Sequence, residues 1–252
     1  MSDKIAGILG GLGPLATVYF MEMLIRLTVA ETDQQHLNTI TTNHAAIPDR
    51  TAHINGEGES PLGFMIADAQ KLEAAGASFI VMPCNTSHYY YRALCREVDI
   101  PVVNIIAETV SYARRRVPGI KRLGVLATEG TTRAGLYEPE CFQYNIQYVV
   151  PGPQGRADLM DIIYNQVKAN RPVDISVFNN IVSDLHDAGC DAVVLGCTEL
   201  SVIRRDFSLY RPDIVDSMEA LALRTLELGE KEATINDKGE IRECVEFAGS
   251  PA

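Results

Sequence analysis

The chain has 252 residues, and 46% of them are hydrophobic, which is enough to bury a substantial core as one large domain or two small ones. The formal net charge is -11, with no basic cluster beyond Arg114–Arg116, and this balance argues against nucleic acid as a partner. No apolar run approaches the roughly 18 residues of a membrane span, and the start of the chain does not resemble a signal peptide. We therefore expect a cytoplasmic protein that binds small molecules and no membrane.

Short apolar runs alternate along the chain with amphipathic stretches of helical length, which is typical of an α/β protein with parallel sheets. The predicted buried strands are Ile5–Leu9, Leu37–Thr42, Phe79–Met82, Leu123–Ala127 and Ala192–Leu195. The predicted helices include Leu15–Ala30, Leu62–Ala75, Ala157–Ala169 and Ile175–Ala188. We expect such helices to cover both faces of each sheet.

The chain also contains an internal repeat, in which three strand-to-helix passages recur in the same order. Lys4–Leu9 resembles Lys121–Leu126, Gly76–Cys84 resembles Gly189–Cys197, and Asp99–Asn104 resembles Arg211–Asp216. The repeat predicts two similar α/β domains related by internal duplication. We assign residues 1–106 and 217–230 to the first domain and 107–216 to the second, and expect 231–252 to be a polar tail, either a hairpin or disordered.

The six cysteines are dispersed without a short-spaced framework, so we expect reduced thiols. No CxxC pair is present, and only His88 stands at ligand spacing from a cysteine, so no metal site is expected. Cys84 and Cys197 differ from the others because each follows a predicted strand and precedes polar residues. Ligands bind at the carboxyl ends of parallel strands, so these equivalent positions should converge on one interdomain cleft.

Polar surroundings and a helix N-terminus behind each of these two thiols favour the thiolate. A symmetric pair suits neither disulfide exchange nor acyl transfer, which would need adjacent cysteines or an orienting histidine. It does suit proton transfer at carbon, with one thiolate removing a proton from one face and the opposite thiol donating a proton to the other face. The sequence therefore predicts that Cys84 and Cys197 are catalytic.

At these residues the chain resembles a known family. Pro83–Thr86 and Gly196–Glu199 are similar to the paired signatures of aspartate/glutamate racemases, and the resemblance extends from Lys4 to about Gly229. Glu199 and the opening segment Gly7–Thr17 resemble the aspartate racemase branch, since glutamate racemases typically carry a histidine at the position of Glu199. The resemblance implies two like α/β domains with the active site between them, no cofactor such as pyridoxal phosphate, and a homodimer.

Substrate recognition follows from two further segments, Ile47–Thr51 and Tyr164–Lys168, which resemble aspartate racemase segments. The resemblance implies that Arg50 and Lys168 bind the side-chain carboxylate, for which guanidinium and ammonium groups are suited. The α-carboxylate would be held by residues near the cysteines, with Thr128 and Thr131 as additional contacts or helix caps. The full set of predicted substrate-binding residues is Gly11, Arg50, Asn85, Thr86, Thr128, Thr131, Lys168, Thr198 and Glu199.

Two features allow other interpretations. Gly11–Ala16 matches a dinucleotide-binding fingerprint, but no acidic residue ends the next predicted strand, so we interpret the glycines as allowing close approach of the loop to the cleft. His88 is expected to point away from the thiols, whereas His44 is expected to lie near the cleft. Alternative functions are racemisation of hydantoins or a broader set of amino acids, isomerisation of maleate, decarboxylation of arylmalonates, and non-catalytic sensing of an acidic ligand.

Overall fold

The structure, a computed structural model, describes residues 4–235. Within this range the chain forms two parallel β-sheets with helices around them. The strands are β1 (Ile5–Gly10), β2 (Asn38–Asn43), β3 (Phe79–Val81), β4 (Arg122–Leu126), β5 (Gln147–Val149), β6 (Ala192–Leu195) and β7 (Ile214–Asp216). The predicted α/β class is confirmed. The sequence pattern did not reveal β5, which is an edge strand without a buried residue, whereas β7 lies in the Arg211–Asp216 passage of the repeat.

Eleven α-helices connect the strands within the described part of the chain. They are α1 (Pro14–Leu27), α2 (Arg50–Ile54), α3 (Leu62–Ala74), α4 (Tyr91–Leu94), α5 (Ile105–Arg116), α6 (Glu129–Arg133), α7 (Glu138–Gln143), α8 (Pro153–Asp161), α9 (Ile175–Asp187), α10 (Thr198–Asp206) and α11 (Ser217–Leu228). Short 3-10 helices cover Asp33–Gln35 and Thr86–Tyr90, and a π-helical segment covers Ile162–Val167. No helix in the described range is long and apolar enough to cross a membrane.

The two sheets have the same strand order. The first is β2-β1-β3, and the second is β5-β4-β6-β7. The position that β7 occupies in the second sheet is taken in the first by a single parallel bridge between Ile80 and Val102. This correspondence confirms the predicted duplication, because each half repeats the same order of crossovers around its central strand.

The burial of the strands in the first sheet explains their apolar sequences. Alternate residues face opposite sides of a strand, so Ile8 and Val81 enter one apolar cluster while Leu9 and Ile80 enter another. Covering both faces with helices explains the nearly continuous apolar sequence of β1. The prediction of a buried second strand is wrong, because β2 lies at the sheet edge and none of its residues is buried.

The larger apolar cluster extends from the first sheet into the second, and α1, α5 and α11 lie between them. Helix α5 packs against β6, β7 and α11, while α11 packs against both α1 and α5. Helix α11 therefore contacts both halves, and its assignment to the first domain stays a prediction. The tail prediction lies mostly outside the described residues; within them, Ala233 forms an antiparallel bridge with Thr28 at the end of α1.

Candidate active site

Both predicted catalytic cysteines line one small cavity between the two halves of the chain. Cys84 follows β3 and Cys197 follows β6, so the two thiols lie after equivalent strands of the two sheets. Both side chains are buried free thiols. The cavity has a volume of only about 10 Å³, which is room for about one water molecule.

The predicted substrate-binding residues mostly gather around the same point, because they follow the carboxyl ends of their strands. Those that line the two-cysteine cavity are Arg50, Asn85, Thr86, Thr128, Lys168, Thr198 and Glu199. Gly11 instead lines a larger adjoining cavity of about 520 Å³. Thr131 lines neither cavity, and its hydroxyl lies 3.0 Å from that of Thr86.

Four residues that line the two-cysteine cavity were not predicted as site residues. They are Leu12, Asp49, Thr51 and Tyr164. Asp49 accepts a hydrogen bond from the Tyr164 hydroxyl at 3.1 Å and another from the Ala52 backbone N–H at the start of α2. Asp49 and Thr51 flank Arg50, Tyr164 lies four residues before Lys168, and Leu12 lies in the opening segment, so all four are in segments already recognised as similar to aspartate racemases.

The electrostatics around Cys197 differ from the sequence-based expectation. Cys197 occupies the N-cap position of α10 as expected, but its side chain makes no capping hydrogen bond and its thiol donates to the Glu199 carboxylate at 3.0 Å. Burial and the neighbouring Glu199 charge raise the pKa of the Cys197 thiol well above its usual value, and Lys168 opposes that rise. Cys197 is therefore held as a thiol, and the prediction of a favoured thiolate is wrong for this residue.

Cys84 lacks the predicted α-helix behind it. The residues after it form the 3-10 helix Thr86–Tyr90, which is followed by the four-residue α4. The local polarity comes instead from side chains, since the Thr86 hydroxyl lies 2.9 Å from that of Thr128 in the second half. Asn85 accepts from the Tyr137 hydroxyl at 2.6 Å and donates to Ser217 at 2.9 Å, so its amide is already engaged.

Lys168 belongs to a wide helical turn that directs it into the cleft. The π-helical segment ends at Val167, and its i to i+5 bonding includes the Lys168 N–H to the Ile163 carbonyl at 3.0 Å. The ammonium of Lys168 lies 3.7 Å from Glu199 Oε1 and 4.0 Å from Asp49 Oδ2. Burial is the largest single influence and would lower the pKa of Lys168, but the combined attraction of Glu199, Tyr164 and Cys197 outweighs it and raises the pKa, so this residue is a fixed positive charge.

Arg50 is buried and held by the backbone. Its Nη2 donates to the Leu12 carbonyl at 2.6 Å, and its Nη1 donates to the Pro48 carbonyl at 3.0 Å. Its Nε is buried and has no hydrogen-bond partner. A guanidinium in which one buried donor is unsatisfied is suited to an anionic ligand, because an unpaired buried donor costs free energy that a carboxylate would recover.

Two glycines permit the close approach of the halves. A Cβ on Gly13 would lie 2.5 Å from Glu199 Oε1, and a Cβ on Gly130 would lie 2.9 Å from Thr51 Oγ1. Both contacts join one half of the chain to the other at the cleft. Gly11 has a φ of +88° and packs against the His44 backbone, which supports the interpretation that the glycine loop serves close approach.

Replacing Gly130 tests whether this close approach is needed. Gly130→Ala should lower kcat/KM by roughly 10- to 100-fold, because misplacing reacting groups by about an ångström has effects of this size. Stability should also fall, by about 1–3 kcal/mol, because the added Cβ would lie 3.0 Å from the Thr51 Cα and the two halves must shift to accommodate it. Steady-state kinetics and thermal unfolding measure the two effects.

Gly63→Ala is the matched control, because a Cβ there meets no atom within 4 Å. It should retain wild-type activity. Full activity of Gly130→Ala would show that the halves do not approach this closely during turnover.

His88 supports Cys84 through its backbone rather than through the thiol. Its ring is buried, with Nδ1 2.9 Å from the Cys84 carbonyl and Nε2 accepting from the Ile105 N–H at 3.1 Å. Burial lowers the pKa of His88 from 6.5 to about 4. His88 is therefore neutral and fixes the loop after β3 to the start of α5, away from the chemistry, as expected.

The lowered pKa of His88 predicts a pH-dependent stability. Between pH 6.5 and 4 the unfolded state takes up a proton that the folded state resists, so stability is fully present above this window and declines through it. We expect this group to reduce the free energy of unfolding by about 3 kcal/mol from pH 7 to pH 4.

Urea unfolding of wild type and His88→Gln at both pH values measures the difference in slope. His88→Gln should be less stable at pH 7 but show the shallower dependence on pH. Equal slopes for wild type and His88→Gln would contradict the assignment.

His44 lies beside the cleft only through its backbone. Its Nδ1 is 2.7 Å from Asp68 Oδ2, its ring packs edge-on against Phe64, and it lines neither cavity. No group of three or more histidine, cysteine or acidic side chains between residues 4 and 235 is placed to hold a metal ion.

Comparison with known proteins identifies the family to which the chain belongs. The family model for Asp/Glu/hydantoin racemases matches residues 9–225. The aspartate racemase of Picrophilus torridus is 32% identical, with 91% of this chain and 96% of that chain covered and a TM-score of 0.76. An aspartate racemase homologue from Pyrococcus horikoshii is 26% identical, covering 90% and 99%, with a TM-score of 0.71.

A broad specificity amino-acid racemase of Bacillus subtilis is 26% identical over 227 residues, which are 87% of this chain and 96% of that protein. Together with the fold, these similarities define the class of the protein: it is an isomerase, an amino-acid racemase. The chain belongs to the Asp/Glu/hydantoin racemase family. The predicted resemblance to aspartate/glutamate racemases is confirmed.

Proposed function

We propose that the protein racemises acidic amino acids, aspartate foremost and glutamate next, without a cofactor, by moving the α-proton between Cys84 and Cys197. The observation that carries the proposal is that two buried thiols, delivered by equivalent strands of a duplicated fold, line the same cavity as Arg50 and Lys168. The similarity to the aspartate racemase of Picrophilus torridus supports the choice of substrate.

The proposed chemistry uses the two thiols in opposite roles. For one enantiomer, the thiolate of one cysteine removes the α-proton while the other cysteine donates a proton to the opposite face. For the other enantiomer the roles exchange, and the product of each turnover leaves the two cysteines in the protonation states needed for the reverse reaction. Cys197 is placed to act first as the donor, because its thiol is held in the protonated form against the Glu199 carboxylate.

In the proposed complex, positive charges and hydrogen-bond donors surround the substrate carboxylates and stabilise the negative charge that develops in the transition state. Arg50 and Lys168 hold the side-chain carboxylate, and the hydroxyls of Thr86, Thr128 and Thr198 surround the α-carboxylate. Helix α10 begins at Thr198, and its first backbone N–H groups lack partners within the helix, so they stabilise negative charge developing beside Cys197. Preorganised donors of this kind are needed because no cofactor disperses the charge of the carbanion.

Isotope exchange tests the proposal directly. D- and L-aspartate, D- and L-glutamate and alanine are incubated separately with the protein in heavy water, and loss of the α-proton is followed by NMR together with optical rotation. We expect exchange and racemisation for aspartate, less for glutamate and least for alanine. Absence of exchange with both acidic amino acids would contradict the proposed function.

We also propose that the protein acts as a cytoplasmic homodimer. The five cysteines of the described region are free, which suits a reducing compartment. The outward face of α1 exposes Leu15, Val18 and Ile25, which are 45%, 56% and 58% exposed. Apolar surface of this kind marks an interface, and a twofold dimer buries the same face of both copies.

Light scattering tests the dimer. The double substitution Val18→Lys with Ile25→Lys should convert a dimeric wild type to a monomer. Phe142→Lys, at an apolar side chain on α7 that is 81% exposed, should leave the dimer intact. A monomeric wild type would contradict this proposal.

A further inference from the structure

Four charged residues separate the two cavities of the cleft. Asp49, Arg50, Lys168 and Glu199 each line both the larger cavity of about 520 Å³ and the two-cysteine cavity. A ligand that moves from the larger cavity to the thiols must therefore pass this charged wall. Its charges decide which ligands can enter.

Within the wall, Lys168 and Glu199 neutralise each other. Lys168 Nζ lies 3.7 Å from Glu199 Oε1, while Glu199 Oε2 accepts from the Cys197 thiol at 3.0 Å. The two-cysteine cavity holds only about 10 Å³, so a dicarboxylic amino acid can reach both thiols only if these side chains separate. The Glu199 carboxylate of this pair is buried, so separating the two charges is costly unless each gains a new partner.

An α-amino dicarboxylic acid brings both new partners. Its side-chain carboxylate can take Lys168, and its ammonium needs a carboxylate near the reacting carbon. The acidic residues that line the two-cysteine cavity are Asp49 and Glu199. Asp49 is already engaged by the Ala52 N–H and the Tyr164 hydroxyl, whereas Glu199 lies against Cys197, where the α-carbon must sit.

We propose that Glu199 is the acceptor for the substrate ammonium, and that the bound amino acid replaces the Lys168–Glu199 ion pair with two ion pairs of its own. This inference rests on the proposed function, in which Lys168 holds the side-chain carboxylate. Glu199 then selects amino acids over other dicarboxylates, because a ligand without an ammonium leaves the Glu199 carboxylate buried and unpaired. When substrate binds and Glu199 turns to the ammonium, the Cys197 thiol also loses its hydrogen bond to Glu199.

Aspartate and succinate distinguish this arrangement, since both carry two carboxylates and only aspartate carries an ammonium. Calorimetry measures the binding of both ligands to two proteins, the single variant Cys84→Ser and the double variant Cys84→Ser with Glu199→Gln. The Cys84→Ser substitution prevents racemisation during the measurement. With Glu199 present, aspartate should bind at least about 10-fold more tightly than succinate. In Glu199→Gln, aspartate should bind about 10-fold more weakly and succinate more tightly, because Lys168 no longer has to leave Glu199, its nearer carboxylate partner.

The controls separate recognition from folding and from proton transfer. Glu97→Gln, at an exposed site away from the cleft, should leave both affinities unchanged. Glu199→Asp retains the charge and should keep the preference for aspartate. If Glu199→Gln retains that preference while its kcat and pH profile change in the presence of Cys84, Glu199 serves Cys197 instead and the inference is overturned.

The outcome for the wild-type chain distinguishes this inference from the function it rests on. Wild-type binding and isotope exchange with an unchanged preference in Glu199→Gln would overturn the ammonium site alone. Absence of binding of either ligand, with no isotope exchange, would overturn the proposed function and the ammonium site together.

Discussion

Cys84→Ser and Cys197→Ser should each lower the racemisation rate of aspartate by roughly 10²- to 10⁴-fold, the contribution typical of a positioned acid or base. A serine hydroxyl fills nearly the same space but is a far weaker acid than a thiol, so it cannot supply the thiolate. Chiral chromatography of the products gives the rate. Stability should change little, because the two buried side chains remain of similar size.

Isotope exchange gives a sharper result for the same variants. The remaining cysteine can still remove a proton from its own face and return deuterium to that face, so each variant should retain exchange with one enantiomer while losing racemisation. Cys84→Ser and Cys197→Ser should retain opposite enantiomers. Cys95→Ser is the control and should behave as wild type, since Cys95 lines neither cavity. Racemisation that survives either active-site substitution would exclude the two-thiol mechanism.

Lys168→Met should lower kcat/KM for aspartate by about 10- to 100-fold, the range expected for loss of a charge-assisted contact. The loss has two physical origins. The substrate carboxylate loses a cation, and Cys197 loses the charge that holds down its pKa, so the acidic limb that reports a thiolate should move to higher pH. Steady-state kinetics as a function of pH measure both effects.

Conservative replacement separates charge from packing at this site. Lys168→Arg should restore part of the activity because the positive charge is retained, although the planar guanidinium does not match the ammonium position. Lys121→Met, an exposed lysine outside the cleft, should leave the kinetics unchanged. An unchanged KM and pH profile in Lys168→Met would show that Lys168 does not touch the substrate.

Local sequence patterns predicted most of the fold. The apolar runs of β1, β3, β4 and β6 were recognised because buried parallel strands are nearly continuous in apolar residues. The same rule failed for β2 and missed β5, because both are edge strands without a buried residue, and β7 was recognised only through the repeat. Which strand forms an edge depends on the whole sheet and is not encoded in the strand alone.

The sequence by itself determined the duplication, the family and the two thiols, because a repeated strand end and its polar neighbours are local features that survive without coordinates. Only the tertiary structure decided that Cys197 is held as a thiol, that Lys168 pairs with Glu199, and that Asp49 belongs to the site. The last two properties arise between residues far apart in the chain, and the first, although Glu199 is only two residues from Cys197, depends on the burial of both side chains. Burial and charge act through distance in space, and packing the two halves together sets that distance.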